Sequence, residues 1–270
     1  MITKASNTDV NLFQVGCLED SSSVSSQRVA WINYATDSSK LNIQTPTFLT
    51  EIYGIPRAGP CYQNDKQRAF YKLPFCHARA LYTDQVDYLE VEKFYNKMLE
   101  MDQYFGSEEM KLQLFGDKLS SKYEYQPIVR HPEAEEDVVE ETWSIKKSPY
   151  RPPYAKIKLG LSNNDEETPL FRLAEKKEDG TKEEIHLNSF GEVTKHMRYL
   201  TKHRMILEVQ KVYAMKTASG GDKRKYGVSV KLVAVECTNK FERSNNKCID
   251  FFDDQFRYFL SRIILSKKCP

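Results

Sequence analysis

The sequence predicts a mainly β fold with helical insertions, and three observations support this. Several short runs alternate apolar and polar residues, which is the pattern of strands with one buried face. One longer run, 87–104, repeats apolar residues at the spacing of a helix face. Turn signals such as Asp179-Gly180 separate the short runs. With 270 residues and 40% hydrophobic content, the chain can bury the core of one elaborated domain or of two small ones.

The first candidate strands form a predicted hairpin. Residues 28–35 alternate well enough to predict a strand, and a polar turn leads into the run 40–53. In that second run Leu41 and Ile43 share one side. A stretch rich in Gly and Pro then breaks the pattern, and 68–75 is a further candidate strand.

A helical insertion is predicted at about 84–120. Within it, Val91, Phe94 and Met98 belong to an apolar stripe at helical spacing, with polar residues between them. The stripe predicts an amphipathic helix packed on a sheet, followed by a second short helix at 108–120. The next segment, 133–141, holds six acids in nine residues and predicts an exposed acidic loop, because such a run repels itself and has little to bury.

The second half of the chain continues with strands. Residues 154–159 alternate after a proline-rich approach, and 170–187 predict a hairpin around Asp179-Gly180. Ser189 and Glu192 have the spacing of a capping box, which predicts a short helix from Ser189 to Leu200. At the end of the chain, 249–265 resembles an amphipathic helix.

The most informative segment is a basic hairpin, Lys195–Lys231. Two alternating runs flank a basic turn, and the segment has ten bases and two acids, a net charge of +8, whereas the whole chain carries +2. Tyr199, Tyr213 and Tyr226 lie beside these bases. Cations interleaved with aromatic rings suit a single nucleic-acid strand, because cations neutralise phosphates and rings stack on bases.

Sequence motifs of catalysis and metal binding do not appear. The six cysteines are scattered without a C-x-x-C pair, which favours a reduced intracellular protein, and no phosphate loop, G-x-S-x-G or H-E-x-x-H pattern occurs. We therefore expect no enzyme activity, no cofactor and no metal. No signal peptide is recognisable and no apolar run approaches the ~20 residues of a membrane span, so no membrane partner is expected.

Seven segments follow one another in a distinctive order: WINYA, LNIQTP, FYNKMLEMD, YEYQPIVR, YRPPYAKIKL, ILEVQKVYAM and KYGVSVKLVAVE. Their order resembles the single-stranded-DNA-binding protein family of the large nucleocytoplasmic DNA viruses, which is similar to the single-stranded-DNA-binding proteins of short-tailed phages. The resemblance covers most of residues 28–237. Tyr213 matches a bulky aromatic residue near the end of one family strand, and Tyr226-Gly227 matches an aromatic-Gly pair that opens the next.

The resemblance implies an OB-like Greek-key barrel elaborated by an amphipathic helix and a C-terminal helix. It implies a single nucleic-acid-binding domain at 1–240 and a helical extension at 241–270. The implied function is sequence-tolerant binding of single-stranded DNA, or of RNA, in viral DNA replication, repair or recombination, with replication proteins as further partners. The implied location is the viral replication compartment in the host cytoplasm or nucleus, or the virion.

The predicted binding set combines bases with aromatic rings that could line a groove. Trp31 is its most doubtful member, because tryptophan in an alternating strand is more often buried. The predicted nucleic-acid-binding residues are Lys156, Lys158, Arg198, Lys202, Arg204, Lys211, Tyr213, Lys216, Lys223, Arg224, Lys225, Tyr226 and Trp31.

Two features depart from the family pattern. The turn at 216–225 is longer and more basic than expected, and the chain ends in SKKCP where phage relatives carry an acidic, aromatic tail that contacts replication enzymes. The alternative function is that of a structural virion protein of the minor capsid or core, in which the tyrosines and the basic hairpin serve protein contacts.

Overall fold

A long antiparallel hairpin forms the centre of the sheet in the computed structural model of this chain. The structure describes residues 2–35, 40–50, 53–56, 58–59, 62–75, 85–132, 152–164, 166–177, 179–197, 201–218 and 221–238. The strands are β1 (Ile2–Lys4), β2 (Phe13–Val15), β3 (Glu19–Asp20), β4 (Gln27–Tyr34), β5 (Asn42–Gln44), β6 (Phe48–Leu49), β7 (Phe70–Pro74), β8 (Tyr123–Gln126), β9 (Val129–Arg130), β10 (Tyr154–Lys158), β11 (Arg172–Lys176), β12 (Lys182–Ile185), β13 (Lys202–Met215) and β14 (Arg224–Thr238). The α-helices are α1 (Asp65–Arg68), α2 (Gln85–Phe105), α3 (Glu108–Phe115), α4 (Asp117–Ser120) and α5 (Phe190–His196).

Strands β13 and β14 pair with each other along their whole length and recruit the other strands on both sides. The far edge of β13 pairs with β4, β5 and β6, all antiparallel. The far edge of β14 pairs with β8, β10 and β11, all parallel, and β7 follows beyond β10. The sheet curls into a half-barrel, and the described chain is mainly β with a few helices, as the sequence predicts.

The predicted hairpin between 28–35 and 40–53 is wrong, although both strands exist. Strand β4 pairs with residues 211–215 of β13, and β5 pairs with residues 206–208 of the same strand. Within the described residues β4 and β5 do not pair with each other. The two strands therefore lie one after the other along β13, because its fourteen residues offer a longer edge than either strand alone can fill.

The predicted amphipathic helix is confirmed. Its stripe is buried: Val91, Phe94, Met98, Met101 and Phe105 are each at most 2% exposed and belong to the core. The second predicted helix at 108–120 is instead two helices. Gly116 separates α3 from α4 because its φ of 68° is a left-handed conformation that ends a helix and favours glycine.

The other local predictions in the second half are confirmed with two changes, the first being that the helix predicted for 189–200 ends at His196. Strands β11 and β12 form the predicted hairpin around Asp179-Gly180. Helix α5 begins after Ser189 as predicted, but the Ser189 side chain makes no capping hydrogen bond. Instead, the backbone N–H of Asn188 donates to the carboxylate of Glu192 at 2.7 Å.

Some predictions concern residues outside the described set. These are the acidic loop 133–141, the terminal helix at 249–265 and the binding residue Arg198. Contacts divide the chain into two units, Met1–Thr238 and Asn239–Pro270, and all the described residues belong to the first. No helix in the described ranges is both long and apolar enough to cross a bilayer.

Candidate nucleic-acid interface

A row of five lysines crosses the outward face of the sheet. We call Lys72 on β7, Lys156 and Lys158 on β10, Lys231 on β14 and Lys211 on β13 the lysine row. Four of them lie between two buried neighbours that point into the core, and Lys211 precedes the buried Val212.

The strand register brings the members of the lysine row together. Lys72 lies directly opposite Lys156, and Lys158 lies opposite Lys231. Lys211 lies opposite Ser229, two residues along β14 from Lys231. Cross-strand partners share a face and lie about 5 Å apart. The five ammonium groups therefore extend across four adjacent strands.

Aromatic rings lie beside three of these lysines. The Nζ of Lys156 is 4.1 Å from the centroid of Phe70, and the Nζ of Lys211 is 5.2 Å from that of Trp31. The Nζ of Lys72 is 4.8 Å from the centroid of Tyr154 and 5.6 Å from that of Tyr53. These distances are within the range of cation–π contacts, which orient an ammonium group without neutralising its charge.

No carboxylate in the described part of the chain forms an ion pair with the lysine row. Glu208 lies opposite Lys231 in the register, but its carboxylate is 3.2 Å from the Nζ of Lys40. Burial lowers the pKa of Lys211, and the charges of Lys158 and Lys231 lower it further. A bound phosphate would relieve this repulsion.

At the β10 and β7 end of the lysine row, burial and neighbouring cations also lower the pKa of a lysine. Burial lowers the pKa of Lys156, and Arg130 and Lys72 lower it further. Arg130 is the partner of Tyr154 across β9 and β10, and its buried Nε has no hydrogen-bond partner within the described structure. Cations are therefore concentrated at both ends of β10.

Tyr53 adopts a strained backbone at the β7 end of the row. Its φ of 71° is unusual for a bulky residue, and its hydroxyl donates to the carbonyl of Pro152 at 3.0 Å. Its ring centroid lies 5.0 Å from that of Tyr154. Gly54 exchanges both backbone hydrogen bonds with Lys72, so this aromatic pair is attached to the edge of the sheet.

Trp31 is exposed, contrary to the more common behaviour of tryptophan in an alternating strand. It lies opposite Lys211, on the outward face, and 49% of its surface is exposed. The lysine row therefore has an accessible indole at one end and the Tyr53–Tyr154 pair at the other.

Tyr226 is wrongly predicted as a binding residue, because it belongs to the core. Its side chain is 0% exposed, and its hydroxyl donates to the carbonyl of Phe105 at 3.2 Å. Its ring packs against Phe115 and Tyr125, with both centroid distances at 5.2 Å. Burial raises its pKa to about 12. No face of this ring is available to stack on a base.

The space that Gly227 leaves is filled by the protein itself. A Cβ at this position would lie 2.9 Å from the hydroxyl oxygen of Tyr213 and 2.7 Å from the carbonyl oxygen of Gln126. Tyr213 lies opposite Gly227, is partly buried and donates its hydroxyl to the Gln126 side chain at 2.7 Å. Tyr213 therefore borders the lysine row but is held in place by its neighbours.

The basic hairpin does not form one cationic surface. Lys216 pairs with Asp20 at 3.1 Å, Lys225 with Glu124 at 2.5 Å and Arg204 with Glu236 at 2.9 Å. Arg224 lies over the ring of Tyr123, with its Cζ atom 5.7 Å from the centroid. Within the described structure Lys202 and Lys223 have no ion pair, and Lys223 is exposed at the turn. Acids outside the hairpin thus neutralise three of its ten bases.

Several residues of the interface are absent from the predicted set. Lys72 and Arg130 are distant in sequence from the basic hairpin, and Lys231 counts toward its charge but is not among the predicted binding residues. For Lys72 a sequence signal exists, since it alternates with apolar residues in FYKLP as Lys156 and Lys158 do in YAKIK. The aromatic residues that sequence reasoning misses are Phe70, Tyr53 and Tyr154.

One comparison finds a similar protein in a virus. The chain is 28% identical over 249 residues to an uncharacterized protein of Acanthamoeba polyphaga mimivirus, covering 83% of this chain and 59% of the relative. The chain therefore spans less than two thirds of that protein's length. No family model matches the chain.

Proposed function

We propose that this protein binds single-stranded DNA with little sequence preference and has no catalytic activity, and that its half-barrel is an OB-like, Greek-key barrel. The lysine row is the observation that carries the proposal. It places five cations on one face of the sheet without acidic partners in the described residues, and aromatic rings lie among them. The similarity to a mimivirus protein is compatible with a role in viral DNA replication, repair or recombination.

The arrangement favours a single strand over a duplex for a physical reason. Lysines contact the phosphates of either form, but only unpaired bases can stack on an exposed ring such as Trp31. The distance from β7 to β4 is four strand spacings, or about 19 Å. At about 3.4 Å or more per phosphate along one strand, this distance accommodates roughly four to six nucleotides.

Removing the lysine row should weaken binding strongly. We expect the variant with Lys156, Lys158, Lys211 and Lys231 replaced by Ala to lose about 3 units of the slope of log K against log salt, since each contact with a single strand contributes about 0.7. The same relation predicts about a hundredfold loss of affinity at 0.15 M salt. The measurement is a fluorescence titration of labelled dT oligomers at several salt concentrations.

The matched control removes four lysines that are paired with acids elsewhere. Lys66, Lys93, Lys111 and Lys177 pair with Glu167, Glu90, Glu108 and Glu183, respectively. Their replacement by Ala changes the net charge by the same amount, but should leave the affinity and the slope almost unchanged. Equal losses in both variants, or equal affinity for a duplex of the same length, would indicate a generic polyanion binder. An unmodified protein that does not bind would favour the virion-structural alternative.

Trp31→Ala tests the stacking half of the proposal. We expect the substitution to cost about 1 to 3 kcal/mol of binding, the usual amount for one stacked base. The melting temperature should change little, because half of the ring is already exposed. Leu112→Ala is the control for removing a similarly exposed apolar side chain, 43% exposed, from a helix outside the lysine row.

Fluorescence gives an independent measurement on the same residue. The chain has two tryptophans, Trp31 and Trp143, so a Trp143→Phe variant reports on Trp31 alone. Saturating dT should quench this signal if a base stacks on the indole. Normal affinity in Trp31→Ala together with an unquenched signal would remove Trp31 from the interface.

A further inference from the structure

A depression adjoins the lysine row on the same face of the sheet. It has a volume of about 280 Å³ and is lined by residues of β5, β11, β12, β13 and β14. Gln44, Ile206, Ala234 and Arg172 are successive cross-strand partners, so they point to one face. Because Ile206 lies two residues along β13 from Glu208, whose partner is Lys231, this line of residues is about 7 Å from the lysine row.

The depression has an apolar floor and a polar rim. Its floor contains the short side chains of Ala234 and Ala174 and the half-buried side chain of Ile206. At the rim, Arg204 donates to both carboxylate oxygens of Glu236, at 2.9 and 3.1 Å. Lys182 also contacts Glu236, at 2.6 Å. Glu236 is therefore held between two cations and forms one wall of the depression.

Arg172 is the uncommitted cation of this rim. It is exposed and has no ion pair or side-chain hydrogen bond with any other described residue. A guanidinium group is planar, stacks on flat rings and donates to base edges. Gln44, on the opposite side, offers an amide that both donates and accepts. The rim therefore combines a flat cation and an amide around an apolar floor, and its other polar side chains are those of Lys182, Glu184, Arg204 and Glu236.

We infer that this depression, the base pocket, receives one unpaired nucleobase of a strand whose phosphates lie on the lysine row. The inference rests on the proposed function and adds a specific contact to it. The apolar floor suits one face of a flat heterocycle, and the polar side chains of the rim suit the donors and acceptors at its edge. The volume is near the lower end for ligand pockets. A base paired in a duplex cannot enter it.

Filling the pocket tests the inference. Ala234→Leu should reduce affinity for dT oligomers by roughly five- to a hundredfold, the range for loss of one base contact. The salt slope should stay unchanged, because no phosphate contact is removed. Ala218→Leu makes the same replacement at an exposed position of the hairpin turn and should bind normally.

A second variant and a crosslinking experiment test the base pocket even if Ala234→Leu does not fold. Arg172→Lys retains the charge but removes the planar group, so it should weaken binding without changing the slope. Oligomers with 5-iododeoxyuridine should crosslink to a peptide containing Arg172 or Ile206 in the unmodified protein, and Ala234→Leu should abolish this crosslink while crosslinks at Trp31 persist.

The outcomes separate the two proposals. Absence of binding by the unmodified protein overturns the proposed function. Normal binding of single-stranded DNA, with unchanged affinity in both Ala234→Leu and Arg172→Lys and no crosslink in the pocket, overturns the base pocket and leaves the lysine row in place.

Discussion

Tyr226→Ala is expected to destabilise the protein by about 3 to 5 kcal/mol, the usual cost of truncating a large buried aromatic side chain. The ring is 0% exposed and lies among Phe115, Tyr125 and the end of α2, so its removal leaves a cavity that the curled sheet cannot close without moving the helix. Urea denaturation at neutral pH is the measurement.

Tyr226→Phe separates the ring from its hydroxyl. This variant keeps the packing but leaves the Phe105 carbonyl without its donor, and should cost about 1 kcal/mol. In both variants the folded fraction should bind DNA normally, since the residue is not at the surface. A Tyr226→Ala variant with unchanged stability and weak DNA binding would show that the ring belongs to the interface.

Acid should destabilise the protein through His203. This residue is 0% exposed, its Nδ1 lies 2.7 Å from the hydroxyl of Thr50, and its buried Nε2 has no partner among the described residues. Burial lowers its pKa from 6.5 to about 3, so the folded protein keeps the imidazole neutral. In the unfolded chain the same imidazole binds a proton below pH 6.5.

The pH dependence follows from this difference in proton binding. Between pH 6.5 and about 3 the unfolded state binds one more proton, so the free energy of unfolding falls as pH falls, by up to about 1.4 kcal/mol per pH unit. From pH 6 to 4.5 we expect His203 to account for a loss of about 2 kcal/mol. More than about one pH unit above 6.5 the contribution is constant.

Denaturation of His203→Gln at both pH values checks this expectation. The variant should lose about 2 kcal/mol less than the unmodified protein between pH 6 and 4.5, whatever its stability at pH 7. His186→Gln, at an exposed position, is the control and should lose as much as the unmodified protein. Parallel losses in all three proteins would mean that His203 is protonated in the folded state.

The lysine row and the hairpin turn differ in the partners of their bases. No lysine of the row has an ion pair with a described residue, whereas at the turn Lys216 and Lys225 pair with acids of β3 and β8. Exposed ion pairs such as these contribute little stability. Their effect on binding is that they lower the net charge of the turn, so the strand of DNA is expected on the sheet.

The sequence by itself determined the local elements. The alternation around Ile157 and the helical stripe through Phe94 depend on the periods of strand and helix, and both elements occur where predicted. The central hairpin and the turn at Asp179-Gly180 are also local, because their partners are near in sequence. Lys156, Lys158 and Lys211 were accessible to this reasoning, since a lysine that alternates with apolar residues must point outward.

Only the tertiary structure decided which strands pair and which charges remain without a partner. Lys225 forms an ion pair with Glu124, and Lys72 belongs to the interface because it lies opposite Lys156. In both cases the partner is more than eighty positions away in the sequence. The burial of Tyr226 and the exposure of Trp31 could not be predicted from sequence for the same reason. Each residue lies in an alternating run, and Tyr226 is buried because α2 and its neighbours pack over it. Periodicity fixes the two faces of a strand, but the elements that cover a face come from elsewhere in the chain.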